Sequence, residues 1–154
     1  MTDWAKVKHF VREEFKHDPD KVAADVVYLL DEMRDAHGGI VQGVRYIIHA
    51  AWDSSGHVTD SGHYADVRPE AVAVDFHMRA GGTVLPLVDQ WLWAERFPWM
   101  GIGLYPFWRQ PGLHVDLRRV GRDHEHLGRR WWRDLDGQYK ALDRDCLKLI
   151  TKEE

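Results

Sequence analysis

The sequence predicts an α+β fold with a mostly antiparallel sheet and flanking helices. Two observations support this class: an apolar stripe at helical spacing early in the chain, and several short segments rich in β-branched, aromatic and alternating residues later on. The chain has 154 residues, of which 44% are hydrophobic and 30% are charged, an ordinary globular composition. Without a repeat or a linker, residues 1–154 are expected to form one domain.

Composition and charge exclude several classes of protein. A formal net charge of -4 gives no general attraction to nucleic acid or to an anionic membrane. The single cysteine, Cys146, excludes an internal disulfide. The first residues mix charged and apolar side chains, and no stretch approaches the roughly 20 apolar residues of a membrane helix. We therefore expect no signal peptide, no membrane anchor and no nucleic-acid partner, whereas oligomeric state is not indicated.

The first part of the chain predicts helical structure. Apolar residues at helical spacing in Asp3–Lys16 indicate a short amphipathic helix or a packed arm. Lys21–His37 has the clearest apolar stripe and is predicted to be a helix that ends at the following glycines. Asp18 or Asp20 is expected to cap it.

The rest of the chain predicts strands interrupted by one helix. The predicted strands are Val44–Ala51, Ala71–Met78, Trp99–Tyr105 and Leu113–Leu117. The helix is Val84–Arg96, with Thr83 as its cap. Arg118–Trp132 reads as a charged loop, and Asp136–Ile150 as a final strand and helix.

Ionisable side chains on two of these strands predict a metal site. The alternation in Leu113–Leu117 places His114 and Asp116 on one face of a strand, and Asp75 follows the small and apolar residues of another. His63 lies in the polar loop between the first two strands. Imidazole nitrogen and carboxylate oxygen are ligands that zinc prefers, so His63, Asp75 and His114 are the predicted ligands of one zinc ion. A network of satisfied polar residues is the alternative.

Aromatic residues are frequent, with eight tryptophans, and most are expected in the core. Trp108 is the best candidate for a ligand groove, because it lies in an irregular segment between two predicted strands. Trp131 and Trp132 cannot both face inward on a strand, so one is expected to cover the edge of the site. The acidic and histidine-rich residues 123–126 are interpreted as solvated loop residues.

Two segments carry a resemblance to a known family. SGHYADVRPEAVAVDF, residues 61–76, resembles the Ser-x-His … Gly-x-Ala-x-Asp segment of the zinc D-Ala-D-Ala carboxypeptidases and L-Ala-D-Glu endopeptidases. GIGLYPFWRQPGLHVDLR, residues 101–118, is similar to the Gly-x-Gly-x-Tyr-Pro … His-x-Asp-x-Arg segment of the same family, notably its phage-type members. HFVREEF near the start and RRWW near the end add to the resemblance.

The resemblance implies the Hedgehog/DD-peptidase fold, with metal ligands at His63, Asp75 and His114. It also implies a zinc peptidase that acts on peptidoglycan peptides at the cell wall. A phage or prophage origin, as of an endolysin, is the accompanying interpretation. The protein would be held in the host cytoplasm until a holin releases it, or it would be carried on the virion.

The chain departs from the family pattern at three places. Eleven residues separate His63 from Asp75, a longer spacing than usual, so His57 is an alternative to His63 as ligand. Pro111 stands where many members have the glutamate that acts as general base. Asp53 stands where an arginine for the substrate carboxylate is expected.

Other residues are candidates for the missing roles. Asp116 is a candidate general base or an acceptor that orients a ligand histidine. His77 is a candidate base, extra ligand or buried structural histidine. For the substrate, Arg68 and Trp108 are the predicted binding residues, and Arg45 and Arg118 are further candidates for the carboxylate clamp.

Two classes of function follow from these predictions. The first is a zinc-dependent carboxypeptidase or endopeptidase that hydrolyses peptidoglycan stem peptides. The second is a catalytically degenerate protein on the same fold that keeps the metal and serves in cell-wall binding or in a phage structure.

Overall fold

The computed structural model describes residues 1–38, 43–53, 70–97, 99, 101–117 and 129–151. Its helices are α1 (Ala24–Ala36), α2 (Leu87–Ala94) and α3 (Arg144–Ile150). Its strands are β1 (Arg45–Ala50), β2 (Ala73–Ala80), β3 (Thr83–Val84), β4 (Gly101–Tyr105), β5 (Gly112–Asp116), β6 (Arg129–Arg133) and β7 (Tyr139–Ala141). Three short 3-10 turns precede α1, at Trp4–Lys6, Arg12–Phe15 and Pro19–Lys21.

Within these ranges the strands form one sheet in the order β1-β2-β5-β4-β6-β7, with β3 paired to β2. Every pairing is antiparallel except that of β4 with β6. The predicted α+β class with a mostly antiparallel sheet and helices is therefore confirmed.

Alternation along the strands gives the sheet two different faces. One face, called the core face below, carries apolar side chains that pack with those of the helices. Its strand residues are Tyr46, Ile48, Val74, Phe76, Met78, Ile102, Leu104, Leu113, Val115 and Trp132. The other face, called the polar face, carries the intervening residues of the same strands, and every predicted site residue on a described strand belongs to it.

The amino-terminal segment is a packed arm, one of the two structures that its pattern predicted. Phe10 and Phe15 are buried in the core. The Asp31 carboxylate of α1 accepts the backbone N–H groups of Lys8 and His9 at 2.7–3.2 Å. These hydrogen bonds satisfy backbone donors that no helix in the arm satisfies, and they fix the arm against α1.

Helix α1 begins three residues later than predicted, and neither Asp18 nor Asp20 caps it. The Lys21 carbonyl accepts the Ala71 N–H at 2.7 Å, and Val22 pairs with Ala71 in an isolated parallel bridge. Because this backbone is used in strand-like pairing, it cannot also form the first turn of the helix. The side chain of Asp20 instead pairs with Arg12.

The prediction that Thr83 caps a helix is wrong. Thr83 and Val84 pair with Ala80 and Arg79 in a tight hairpin. Gly81 and Gly82 have φ of 54° and 84°, a backbone that glycine adopts readily. The helix that follows is shorter than predicted and has Pro86 at its N-cap.

The carboxyl-terminal third contains a strand that was interpreted as loop. Residues 129–133 form β6, whereas 118–128 lie outside the described residues. The predicted final strand and helix correspond to β7 and α3. None of the helices in the described ranges has the length and apolar character needed to cross a membrane.

Candidate metal centre

The centre of the polar face is β5, which pairs with β2 on one side and with β4 on the other. His114 lies opposite Asp75 of β2 and opposite Gly103 of β4. Asp116 lies two residues further along β5 and opposite Gly101. The register of β2 against β5 therefore brings Asp75 next to His114, and Asp116 lies on the same face of β5.

His114 is hydrogen-bonded to a carboxylate through each ring nitrogen. Its Nδ1 lies 2.8 Å from Asp75 Oδ1, and its Nε2 lies 3.1 Å from Asp116 Oδ2. Only 4% of His114, 6% of Asp75 and 1% of Asp116 is exposed. Buried ionisable groups of this kind are stable only when they are paired or bind a cation.

The environment of His114 favours the protonated ring in the absence of a metal. Burial, the largest single influence, disfavours the imidazolium and lowers the pKa. The hydrogen bonds to Asp116 and Asp75 and the charges of both carboxylates outweigh burial and raise the pKa of His114 to about 9. The carboxylates of Asp75 and Asp116 would stabilise a positive charge at His114, whether a proton or a metal ion carries it.

Two glycines of β4 make room for the site. A Cβ atom on Gly101 would lie 2.6 Å from Asp116 Oδ2, and one on Gly103 would lie 2.2 Å from the Trp131 ring. The Trp131 ring lies over Gly103, with its centroid 5.1 Å from that of His114. Trp132 faces the core, whereas Trp131 lies on the polar face beside His114.

His77 lies two residues from Asp75 on β2 and is paired with a second histidine. Its Nδ1 lies 2.6 Å from Nε2 of His49, while its own Nε2 is buried with no hydrogen-bond partner in the described chain. Burial, followed by the charges of His49 and Arg79, lowers the pKa of His77 to about 4. Burial also lowers the pKa of His49. Both rings are therefore neutral at pH 7, with one donating to the other.

Trp108 forms an aromatic wall beside the histidine pair. It stacks on Tyr105 with ring centroids 3.8 Å apart and meets the edge of His49 at 5.2 Å. Tyr105 in turn meets Trp131 edge to face at 5.4 Å. The wall therefore continues to the ring that lies beside His114.

Several predicted residues lie outside the described residues. These are His63, His57, Arg68, Arg118 and residues 123–126. Arg45 is exposed on β1, where it lies opposite Arg79. Pro111 precedes β5, and its carbonyl accepts a hydrogen bond from the Gln90 amide at 3.0 Å.

Sequence reasoning missed His49, Tyr105 and the reason for the two glycines of β4. His49 follows Tyr46 and Ile48 of a predicted strand, and their burial would have placed it on the opposite face with Asp75. The Gly-Ile-Gly of residues 101–103 lies within β4. Alternating glycines in a strand do indicate close approach by another group.

Two of the three predicted zinc ligands, Asp75 and His114, lie in contact within the described residues. The described part of the chain contains no group of three or more His, Cys, Asp or Glu side chains arranged to hold a metal ion. Asp75 Oδ1 and His114 Nδ1 converge to 2.8 Å, whereas two tetrahedral ligand atoms at about 2.0–2.1 Å from zinc lie roughly 3.3 Å apart. A small separation of this pair would admit the ion, and Asp116 would then orient the ligand ring from its far side. The donor set fits zinc, with a third ligand required from outside the described ranges.

Comparisons with protein-family models, with curated proteins and with solved structures find no match for this chain.

Proposed function

We propose that this protein is a zinc-dependent peptidase that hydrolyses the stem peptides of peptidoglycan. The observation that carries the proposal is the buried Asp75–His114–Asp116 constellation on the polar face of an antiparallel sheet. The similarity of residues 61–76 and 101–118 to zinc carboxypeptidases and endopeptidases supports the same function. It also leads us to propose the Hedgehog/DD-peptidase fold as the finer class.

Asp75 and His114 would hold one zinc ion together with His63 or, as an alternative, His57. When bound, zinc would polarise the scissile carbonyl and lower the pKa of water in the site to about 7. Asp116 accepts from His114 Nε2, which fixes the orientation of the ring and directs Nδ1 towards Asp75. This contact favours an orienting role for Asp116 over that of general base.

His77 is the better of the two candidate bases. Asp116 already binds His114, whereas the His77 ring is neutral and has a nitrogen without a partner in the described chain. A neutral imidazole can take a proton from water and return it to the leaving amine. His49 holds the other nitrogen of His77 and so fixes which nitrogen is available.

The biological setting remains part of the proposal. The phage-type character of residues 101–118 favours a phage or prophage protein that acts on the cell wall. Release from the host cytoplasm or carriage on the virion would bring it there.

A second candidate function is a non-enzymatic wall-binding or phage structural protein. Both ring nitrogens of His114 are engaged by carboxylates, an arrangement that is satisfied without a metal. Pro111 also stands where the family's general base is expected. In this case the constellation stabilises the sheet and binds no reacting group.

Digestion of purified peptidoglycan tests the proposal. Mass spectrometry of the soluble fragments should show peptide-bond cleavage that stops with a zinc chelator and returns with added zinc. His114→Gln and Asp75→Asn should abolish cleavage, whereas Arg144→Gln, an exposed position on α3, should leave it unchanged. Unaltered cleavage in chelator or in His114→Gln would exclude a zinc peptidase centred on His114, and complete inactivity of the wild type with zinc would favour the second candidate.

A further inference from the structure

A small pocket lies on the polar face beside the proposed metal centre. Its volume is about 280 Å³, just below the usual range of small-molecule sites. Tyr105 and Trp108 form one side, and the β6–β7 turn with Arg133 and Asp136 forms the other. Tyr105 lies two residues along β4 from Gly103, the partner of His114, so the pocket is about 7 Å further along the sheet.

The pocket presents one positive and one negative charge. Arg133 Nε donates to the Gly137 carbonyl at 3.2 Å, and its guanidinium lies over the Tyr139 ring. Neither Arg133 nor Asp136 forms an ion pair within the described ranges. The third charged residue of the wall, Asp134, is already neutralised by Lys140 at 2.6 Å and accepts the Gln138 N–H at 2.8 Å.

The remaining walls are apolar and open. Phe107 and Leu135 line the same pocket, and they are 44% and 75% exposed. With the Tyr105–Trp108 stack they offer surface for methylene groups. A ligand that fits this pocket therefore combines a short aliphatic chain with both a positive and a negative group.

We propose that this pocket binds a zwitterionic amino-acid group on an aliphatic side chain of the substrate, with the carboxylate on Arg133 and the ammonium on Asp136. A lone carboxylate would be repelled by Asp136 and a lone ammonium by Arg133, whereas a group that carries both charges matches the pair. In a stem peptide, a diamino dicarboxylic acid such as diaminopimelic acid has such an end, and lysine has the ammonium alone. The inference rests on the proposed function, because that function identifies the ligand as a stem peptide.

Two synthetic tripeptide amides test this inference, L-alanyl-γ-D-glutamyl-meso-diaminopimelic acid amide and the same peptide with lysine as third residue. Their binding to the full chain is measured by calorimetry in the presence of a zinc chelator, so that hydrolysis does not interfere. We expect the wild type to bind the diaminopimelic peptide about tenfold more tightly, because one charge-assisted hydrogen-bonded pair is added. Arg133→Gln should remove this preference and Asp136→Asn should weaken both peptides, whereas Arg144→Gln should change neither.

The outcomes separate this inference from the proposed function. Equal affinity of the two peptides for the wild type, or an unchanged preference in Arg133→Gln, would overturn the assignment of the pocket even if zinc-dependent cleavage is observed. Selective binding that depends on Arg133 would support it even if no cleavage of peptidoglycan is found, and in that case the wall-binding alternative would apply.

Discussion

The two faces of the sheet use alternate residues of the same strands, yet they are built in different ways. On the core face Phe76 stacks on Tyr46 with ring centroids 5.3 Å apart, and its neighbours are aliphatic. On the polar face Asp75, one residue earlier, contacts an imidazole. The core face is stabilised by burial of apolar area, whereas the polar face must satisfy each buried charge individually. One face can therefore be varied if its volume is kept, and the other depends on specific atoms.

Truncation on the core face should have the largest effect on stability. We expect Phe76→Ala to lower the free energy of unfolding by about 3–5 kcal/mol, because the fully buried ring leaves a cavity. His77→Ala, one residue later on the polar face, should cost only about 1–2 kcal/mol, since His77 has an unsatisfied buried nitrogen. Urea denaturation of both variants measures their free energies of unfolding. Equal losses in the two variants would contradict the distinction between the faces.

A smaller effect on stability is expected from substitution of Gly103, which lies beneath the Trp131 ring. Gly103→Ala would place a methyl group 2.2 Å from the ring, so we expect a loss of about 1–3 kcal/mol and a displaced tryptophan. Near-ultraviolet circular dichroism and urea denaturation measure these two changes. Trp131→Phe in the Gly103→Ala background should recover part of the loss, and strictly additive effects of the two substitutions would contradict the contact.

The smallest effect concerns a histidine packed beside the core. His37 Nδ1 lies 2.8 Å from the Tyr46 hydroxyl, and its ring stacks on Trp93 at 3.5 Å. Burial, followed by the charge of Arg96, lowers the pKa of His37 from 6.5 to about 4. The unfolded chain therefore binds the proton more readily, so this contribution to stability is complete above pH 6.5 and is lost as the pH falls towards 4.

We expect the free energy of unfolding to fall by about 1–2 kcal/mol over this range. This is less than the free energy that corresponds to the full pKa difference, because the ring is partly exposed to solvent. Urea denaturation of the wild type and of His37→Phe between pH 7 and pH 4 measures it, with other acidic groups common to both proteins. A steeper fall in the wild type is the expected result. Parallel curves would show that His37 does not titrate differently in the folded state.

The sequence correctly predicted the features of the fold that follow from the spacing of apolar residues along a strand or a helix. The alternation in β5 placed His114 and Asp116 on one face correctly, and the stripe in α1 located that helix. The predicted element boundaries were wrong where long-range backbone pairing competed with local helix preference. The bridge between Val22 and Ala71, for example, makes α1 begin later than predicted. Thr83 was misassigned for the same reason, because a hairpin with β2 uses its backbone.

The sequence predicted which residues belong to the candidate site, but it predicted only some of the contacts between them. The contact of His114 with Asp75 depends on the register of β2 against β5, which no local pattern specifies. The pairing of His49 with His77 depends likewise on β1. Arg133 and Asp136 were not predicted, because a strand end and a turn meet the aromatic wall only in the folded chain.

The central claim is that Asp75 and His114 are zinc ligands, and zinc content tests it most directly. Elemental analysis of purified protein, loaded with zinc and dialysed, should give about one zinc per chain for the wild type and for the control Arg144→Gln. His114→Gln and Asp75→Asn should each lose the metal, with folding verified by circular dichroism. Absence of zinc in the wild type, or its retention in a folded His114→Gln protein, would contradict the claim.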